Sequence, residues 1–249
     1  VKKVVETVVD PELEMTLAID DLKKYFKGRA RIFNTFMAAH AVPKRFTSST
    51  EYMRLEVIPL MHKLADFKAI DAVDIFFEQG YFDIKDTLML FAEAKSRKIP
   101  LKIHADEFND NKGAALACQH EALSCDHLLG TAADGIQALA RASTVATLLP
   151  GTGLFLGKPP ANARGMLDAG AKVAIASDFN PGSCHCDNLL LLASLAAPMY
   201  RMNLEELWTA ITLNAAHALG FKDMGALVPG HAPAFAAFRR ARSADGRAS

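Results

Sequence analysis

The stretch IPLKIHADEFND, residues 99–110, decides how the chain folds. Pro100 marks the start of a strand, and Leu101 and Ile103 are its apolar body. The strand then ends by presenting His104, Asp106 and Glu107 within four positions. Asp110 and Asn111 follow with turn and helix-start chemistry. An apolar strand that delivers a histidine and carboxylates to the loop at its C-terminal end fits a parallel α/β sheet, because that edge is where such folds place their chemistry.

The same pattern recurs on both sides. RIFNTFMAAH (31–40), AIDAVDIFFEQG (69–80), LKIHADEF (101–108), EALSCDHLL (121–129), TVATLLPG (144–151) and KVAIASDFNPG (172–182) read as strands. Helical patterns lie near 10–27, 51–66, 83–98, 112–120, 132–142 and 160–170, with two more at 187–199 and 204–219. Strand, helix, strand in regular alternation means βαβ units and a parallel sheet. The polar strand endings then line up: His40, then Glu78 and Gln79, His104 and Glu107, Asp126 and His127, and finally Asp178, Asn180 and Gly182. A single such ending can be a hydrogen-bonded histidine capping a strand. A series of them on one sheet edge, with His and Asp prominent, is a constellation for metal binding and proton transfer.

Composition narrows the remaining classes. The chain has 249 residues, of which 51% are hydrophobic, enough for one large α/β domain. Lys plus Arg and Asp plus Glu number 28 each, and no basic stripe is visible, so neither nucleic acid nor an anionic membrane surface is an expected partner. No apolar run reaches the roughly 18 residues that a membrane span needs. The opening VKKVVETVVD has no long apolar core of a signal peptide. Four cysteines in a chain this long point to reduced thiols and a cytoplasmic setting. From about residue 220 the pattern changes to MGALVPGHAPAFAAF, which looks like the start of a small β unit, and the tail RRARSADGRAS is expected to be disordered.

IHADEF, SCDHLL, TVATLLPGT and IASDFNPGS, in this order, resemble the imidazolonepropionase family of the metal-dependent amidohydrolase superfamily. TFMAAHAVP (35–43), AVDIFFEQG (72–80) and LTLNAAHALGFKDMGALVPG (213–230, with substitutions here and there) resemble it too, so the likeness runs from about residue 10 to 238. SDFNPGS is its most specific element. The resemblance implies an α/β fold, a (β/α)8 TIM barrel of amidohydrolase type. It implies hydrolysis of 4-imidazolone-5-propanoate to N-formimidoyl-L-glutamate in histidine degradation, with one bound Zn or Fe ion. Carried over by position, His104 and Asp178 would be metal ligands. His127 would contact the metal-bound water or the substrate carbonyl. Glu107 would bond the substrate ring and take the water's proton, with Asp178 or Glu107 shuttling it to the leaving nitrogen. His40, Asn180, Gly182 and Ser183 would bind the substrate. The partner implied is a small molecule, and a homodimer is compatible with the family.

The sequence also departs from that family. The family's first strand carries a His-x-His pair that completes the metal site, and this sequence contains no His-x-His. The Arg and Tyr that the family uses on the substrate carboxylate are likewise expected in the part this chain lacks. The expectation is therefore an N-terminally truncated, incomplete barrel over 1–219 (strands three to eight), a remnant of a β-sandwich domain at 220–238, and a tail at 239–249. Ala234 stands where the sandwich strand usually has Asp. Two ligands hold zinc more weakly than four, so the polypeptide as given is expected to be inactive. The alternatives are a related amidohydrolase or deaminase acting on another nitrogen heterocycle, and a non-catalytic chain. Cys184-His185-Cys186 also carries metal-ligand chemistry, but adjacent residues seldom point at one ion, and loop variation is the simpler reading. Asp106 and Asp126 each neighbour a candidate histidine and fit orienting roles.

Overall fold

The computed structural model describes residues 9–232 and 234–235. Six parallel strands form one sheet in strict chain order: β1 (Thr35–Ala39), β2 (Ala72–Phe77), β3 (Lys102–Ala105), β4 (Ser124–His127), β5 (Val145–Leu148) and β6 (Val173–Ile175). Each sits inside a stretch that reads as a strand and is shorter than it; His40, Glu78 and Asp178 fall beyond their strands, whereas His104, Asp126 and His127 are still paired in the ladder. Parallel neighbours require crossovers, and the helices supply them. Helix α1 (Val9–Tyr25) precedes the sheet. A helical run joins β1 to β2: α2 (Ser49–Tyr52), a π-helical segment at Met53–Val57, and α3 (Ile58–Asp66). Then come α4 (Ile84–Ser96), α5 (Gly113–Gln119), α6 (Ala133–Arg141), α7 (Pro150–Phe155) and α8 (Ala163–Asp168). Beyond β6 lie α9 (Leu189–Tyr200), α10 (Leu204–Ile211) and α11 (Leu213–His217).

The two faces of the sheet differ in kind. Val73, Ile75, Ile103, Ala105, Cys125, Ala146, Leu148 and Val173 join the apolar core formed with Leu64, Leu90, Phe91, Leu116 and Met166 of the helices. Each large side chain buried there contributes roughly 1.5–3 kcal/mol. The alternate positions, Asp74, Lys102, His104, Asp126 and Thr147, line a cavity on the other face. Side chains alternate across a strand, so an apolar-looking run can carry a polar interior row. All four cysteines are free thiols.

The strand ends are conformationally unusual. Asp106, His127, Leu128 and Asp178 all have positive φ, at 53°, 79°, 62° and 48°. Non-glycine residues adopt this left-handed region at a cost, and do so where a turn must aim a particular side chain. Helix α7 has no counterpart among the helical patterns read from sequence. Its Pro150-Gly151 opening has the look of a turn, but proline at the first helical position is preorganised for a helix start. The β unit expected from residue 220 has no strand among the described residues, where the segment runs as turns and bends. The remainder of that expectation, the opening VKKVVETV and the tail lie outside the described residues.

Candidate metal centre

Three donors converge at the C-terminal end of the first strands. His40 follows β1, Asp74 lies within β2 and His104 within β3, and their ligand atoms lie within 4.8 Å of one another. His104 Nδ1 is 2.6 Å from Asp74 Oδ2, and His40 Nε2 is 3.5 Å from the same oxygen. The two rings meet edge to face, 4.5 Å between centroids. Two ligands held at about 2.1 Å by a tetrahedral ion are about 3.4 Å apart; the His40–Asp74 separation matches this, whereas the 2.6 Å between His104 and Asp74 is a hydrogen bond that a bound ion would have to replace. Two imidazoles and one carboxylate are a donor set suited to zinc or iron. Burial opposes a charge on Asp74, but the His104 and His40 rings beside it hold its carboxyl well below the usual carboxylate range. An ionised, buried carboxylate facing two imidazoles is what a divalent cation needs.

A polar row supports these donors. Lys102 Nζ is 2.5 Å from Ser124 Oγ and 3.5 Å from Asp126 Oδ2, and Ser124 Oγ donates to Asp126 Oδ1 at 2.7 Å. Asp126 Oδ2 lies 4.0 Å from His104 Nδ1. A buried lysine–aspartate pair adds little net stability, since desolvation offsets the attraction. The pair places one lysine and one aspartate in a cavity that Asp74 and Asp178 also line. The cavity that Asp74, Lys102, His104, Asp126, Thr147 and Asp178 line has a volume of about 440 Å³.

Glu107 and His127 form a second, neighbouring pair. Both are buried, with His127 Nδ1 3.6 Å from Glu107 Oε1, and the His127 ring is 5.0 Å from that of His104. Two carboxylates fix the loop that carries Glu107. Asp106 Oδ1 accepts from the backbone N–H of Asn111 at 3.1 Å and Gly113 at 3.0 Å; its Oδ2 accepts from Ala114 N–H at 3.2 Å and Thr131 Oγ1 at 2.9 Å. This closes the N-terminus of α5 in place of a cap on Lys112. Burial nevertheless pushes the Asp106 carboxyl up, against those hydrogen bonds. Glu78 accepts from Phe108 N–H at 2.9 Å and from the Asn109 side chain at 3.1 Å, and it also holds the Asn111 amide.

The SDFNPGS loop is built around Asn180. Its Oδ1 accepts from Gly182 N–H at 2.8 Å and Ser183 N–H at 2.7 Å, and its Nδ2 donates to Asp178 O at 2.6 Å and Ser183 Oγ at 3.0 Å. The fully buried Asn180 amide is thus committed to shaping the loop that presents Asp178, Gly182 and Ser183. Asp178 lines the same cavity as His104, and its Oδ2 accepts from Thr152 Oγ1 at 2.6 Å. It does not belong to the group of converged donors among the described residues.

The sequence reading named His104 and Asp178 as metal ligands; both line one cavity, and the donor atoms that lie within 4.8 Å of one another are those of His40, Asp74 and His104. Asp74 escaped notice because it sits mid-strand in AVDIFF rather than at a strand end. The signal was available, since an ionisable residue inside a fully buried strand needs a partner. Cys184 and Cys186 direct their thiols at backbone carbonyls of Cys186 and Asn188, and His185 Nε2 lies 2.9 Å from Pro181 O, so that triplet serves its own loop.

Comparison with known proteins gives the context. Residues 7–243 match the model of the amidohydrolase family. The imidazolonepropionase of Bacillus velezensis is 40% identical over 212 residues, covering 85% of this chain and 50% of that protein. The imidazolonepropionase of Bacillus cytotoxicus is 40% identical over 194 residues, 78% of this chain and 46% of that protein. The chain spans about half the length of these curated relatives. Among solved structures, an adenosine deaminase from Xanthomonas campestris with bound zinc aligns with a TM-score of 0.65 at 17% identity, over 87% of this chain and 54% of that one. Atrazine chlorohydrolase TrzN from Arthrobacter aurescens, complexed with zinc, aligns with a TM-score of 0.61 at 17% identity, over 92% and 64%. At such identities these structures establish the fold, six consecutive βα units of an amidohydrolase TIM barrel.

Proposed function

Because the chain belongs to the amidohydrolase family, we propose that its site serves an imidazolonepropionase-type hydrolysis, in which water opens the ring amide of 4-imidazolone-5-propanoate to give N-formimidoyl-L-glutamate. The observation that carries this reading is the 40% identity over 212 residues to an imidazolonepropionase. The convergence of His40, Asp74 and His104 supports it. These three residues would hold one zinc or iron ion. When bound, such an ion supplies Lewis acidity and lowers the pKa of water towards neutrality.

The chain's own residues supply the rest. Glu107, buried beside the centre, takes a proton from the attacking water. His127 faces the carbonyl oxygen as it gains charge and offsets that charge. The proton that leaves the water is delivered to the departing ring nitrogen as the carbon–nitrogen bond breaks, either by Glu107 itself or through Asp178, which Thr152 holds. One water is added and the ring opens. Gly182 and Ser183 sit on the loop that Asn180 organises beside Asp178, and bound substrate lies against that loop. No helix among the described residues is long and apolar enough to cross a membrane, and the cytoplasm is the setting proposed.

The test is direct. The 249-residue chain, supplied with zinc or iron(II), is incubated with 4-imidazolone-5-propanoate, and the ring's ultraviolet absorbance is followed alongside mass detection of the opened product. Product that disappears in Glu107→Gln supports the reading. No product with either metal refutes it for this chain.

A further inference from the structure

One row of side chains crosses the cavity from strand to strand. The pairing of β3 with β4, β4 with β5 and β5 with β6 sets His104 beside Asp126, Asp126 beside Thr147 and Thr147 beside Ala174. All four line the cavity that Asp74 and Asp178 also line. Thr147 is 7% exposed, and among the described residues its Oγ1 has no hydrogen-bond partner. Two other threonines near the site are committed: Thr152 Oγ1 donates to Asp178 at 2.6 Å and Thr131 Oγ1 to Asp106 at 2.9 Å.

A buried hydroxyl without a partner lowers stability, and its presence calls for a use outside the fold itself. Packing does not require it here. Two residues earlier on β5, and on the same face, Val145 is fully buried in a cluster with Ala174 and Ala218. Valine has the shape of threonine, so an apolar residue would fill position 147 as well. The neighbours set what the hydroxyl can meet. Ala174 has no polar side-chain atom. Asp126 accepts from Ser124 through Oδ1 at 2.7 Å, while its Oδ2 stands 3.5 Å from Lys102 Nζ and 4.0 Å from His104 Nδ1. A carboxylate oxygen with room for a further donor, next to a hydroxyl that can accept, favours an N–H or O–H group over an anion.

We propose that Thr147 and Asp126 form a polar notch that takes a ring N–H of a nitrogen heterocycle and so fixes the orientation of the ring in the cavity beside the donor group. This rests on the function proposed above and specifies how its substrate ring is read. A notch that hydrogen-bonds an N–H rejects a ring of the same shape that lacks one, because its polar atoms are then left unpaired. Ordered water offers the same donor chemistry, and the test separates the two.

The test compares two probes on the metal-free full chain by calorimetry: imidazole-4-propanoate, and thiazole-4-propanoate, which keeps the flat ring and the tail but has no ring N–H. The unmodified chain should prefer the imidazole. Thr147→Val is expected to weaken the imidazole about fivefold, the worth of one ordinary hydrogen bond, while leaving the thiazole unchanged. Thr147→Ser keeps the hydroxyl and should keep the preference. Without any probe, Thr147→Val should melt no lower than the unmodified chain, since no internal hydrogen bond is lost. A clearly lower melting temperature would show that the fold already uses the hydroxyl, and overturns the proposal. Equal loss for both rings, or no loss for either, overturns it too, marks the notch as a water site, and leaves the function proposed above standing. If the unmodified chain binds neither ring, that function falls and the notch with it.

Discussion

Replacing Asp74 with Asn should remove the response of the protein to zinc while leaving its fold in place. The side chain keeps its size and its place between His40 and His104, but loses its charge and most of its power as a ligand. Structural zinc sites with four ligands bind with about 10–16 kcal/mol, so one ligand accounts for roughly 3 kcal/mol, or about a hundredfold in affinity. At zinc a hundred times the unmodified chain's dissociation constant, binding stabilises that chain by about 2.7 kcal/mol. In Asp74→Asn the same zinc concentration merely equals the weakened constant, and the gain falls to about 0.4 kcal/mol. For a chain of this size 1 kcal/mol shifts the melting temperature by about 2–4 °C. Scanning fluorimetry should therefore show a zinc-induced rise of about 5–11 °C in the unmodified chain, against about 1–2 °C in the variant. Each chain is compared with itself without metal, so any change in basal stability cancels. Equal shifts in the two chains would refute a role for Asp74 in holding the ion, and no shift in either would refute the centre.

Three further outcomes follow from particular contacts. Asp106→Ala strips three backbone N–H groups around the start of α5, and the Thr131 hydroxyl, of their acceptor. It should cost about 3–4 kcal/mol in urea unfolding, with Asp106→Asn losing roughly half that; a cost below about 1 kcal/mol would show that water replaces the carboxylate. Burial raises the Glu78 carboxyl, but hydrogen bonds from Phe108, Asn109, Gln79 and Asn111 outweigh it and the net shift is downward. A lowered folded value means stability that is present above the unfolded carboxyl pKa, about 4.3, and lost as pH falls through the folded value. Melting temperature should thus fall more steeply below about pH 4 in the unmodified chain than in Glu78→Gln, and parallel curves would contradict the assignment. At Gly113 an added Cβ would sit 2.3 Å from Ala105 Cβ and 3.2 Å from the Phe77 ring, whereas at Gly153 its nearest neighbour is Leu129 at 3.7 Å. Gly113→Ala should therefore destabilise by about 1–3 kcal/mol and Gly153→Ala hardly at all, a contrast that chemical denaturation resolves.

The sheet was legible because its code is local. Each strand is a short apolar run between helical patterns, and the chain order of the strands is also their spatial order. His104, Glu107, His127 and Asp178 were legible because they stand at strand ends, where a polar residue after an apolar run is conspicuous. Asp74 was not, because its partners are 34 residues behind it and 30 ahead, and only pairing of neighbouring strands brings them together. Asn180 illustrates a different difficulty. The residue type and its loop were evident, but whether an amide faces a ligand or its own backbone depends on two consecutive N–H groups that fold back on it. Helix α7 was hidden by Pro150-Gly151, a pair that serves a turn or a helix start according to what packs around it.

The order of the strands has a consequence for the way the protein is made. Synthesis runs from the N-terminus at about 5–20 residues per second, and early segments can dock before later ones exist. Each strand from β2 to β6 pairs with the one synthesised just before it, so each of these βα units has its template waiting as it leaves the ribosome. His40, Asp74 and His104 come from the first three strand segments, whereas Asp178 arrives only after the sixth. His40, Asp74 and His104 are thus all on the nascent chain well before the loop that carries Asp178 has been translated, so a cation that these three would hold has its donors before that loop exists.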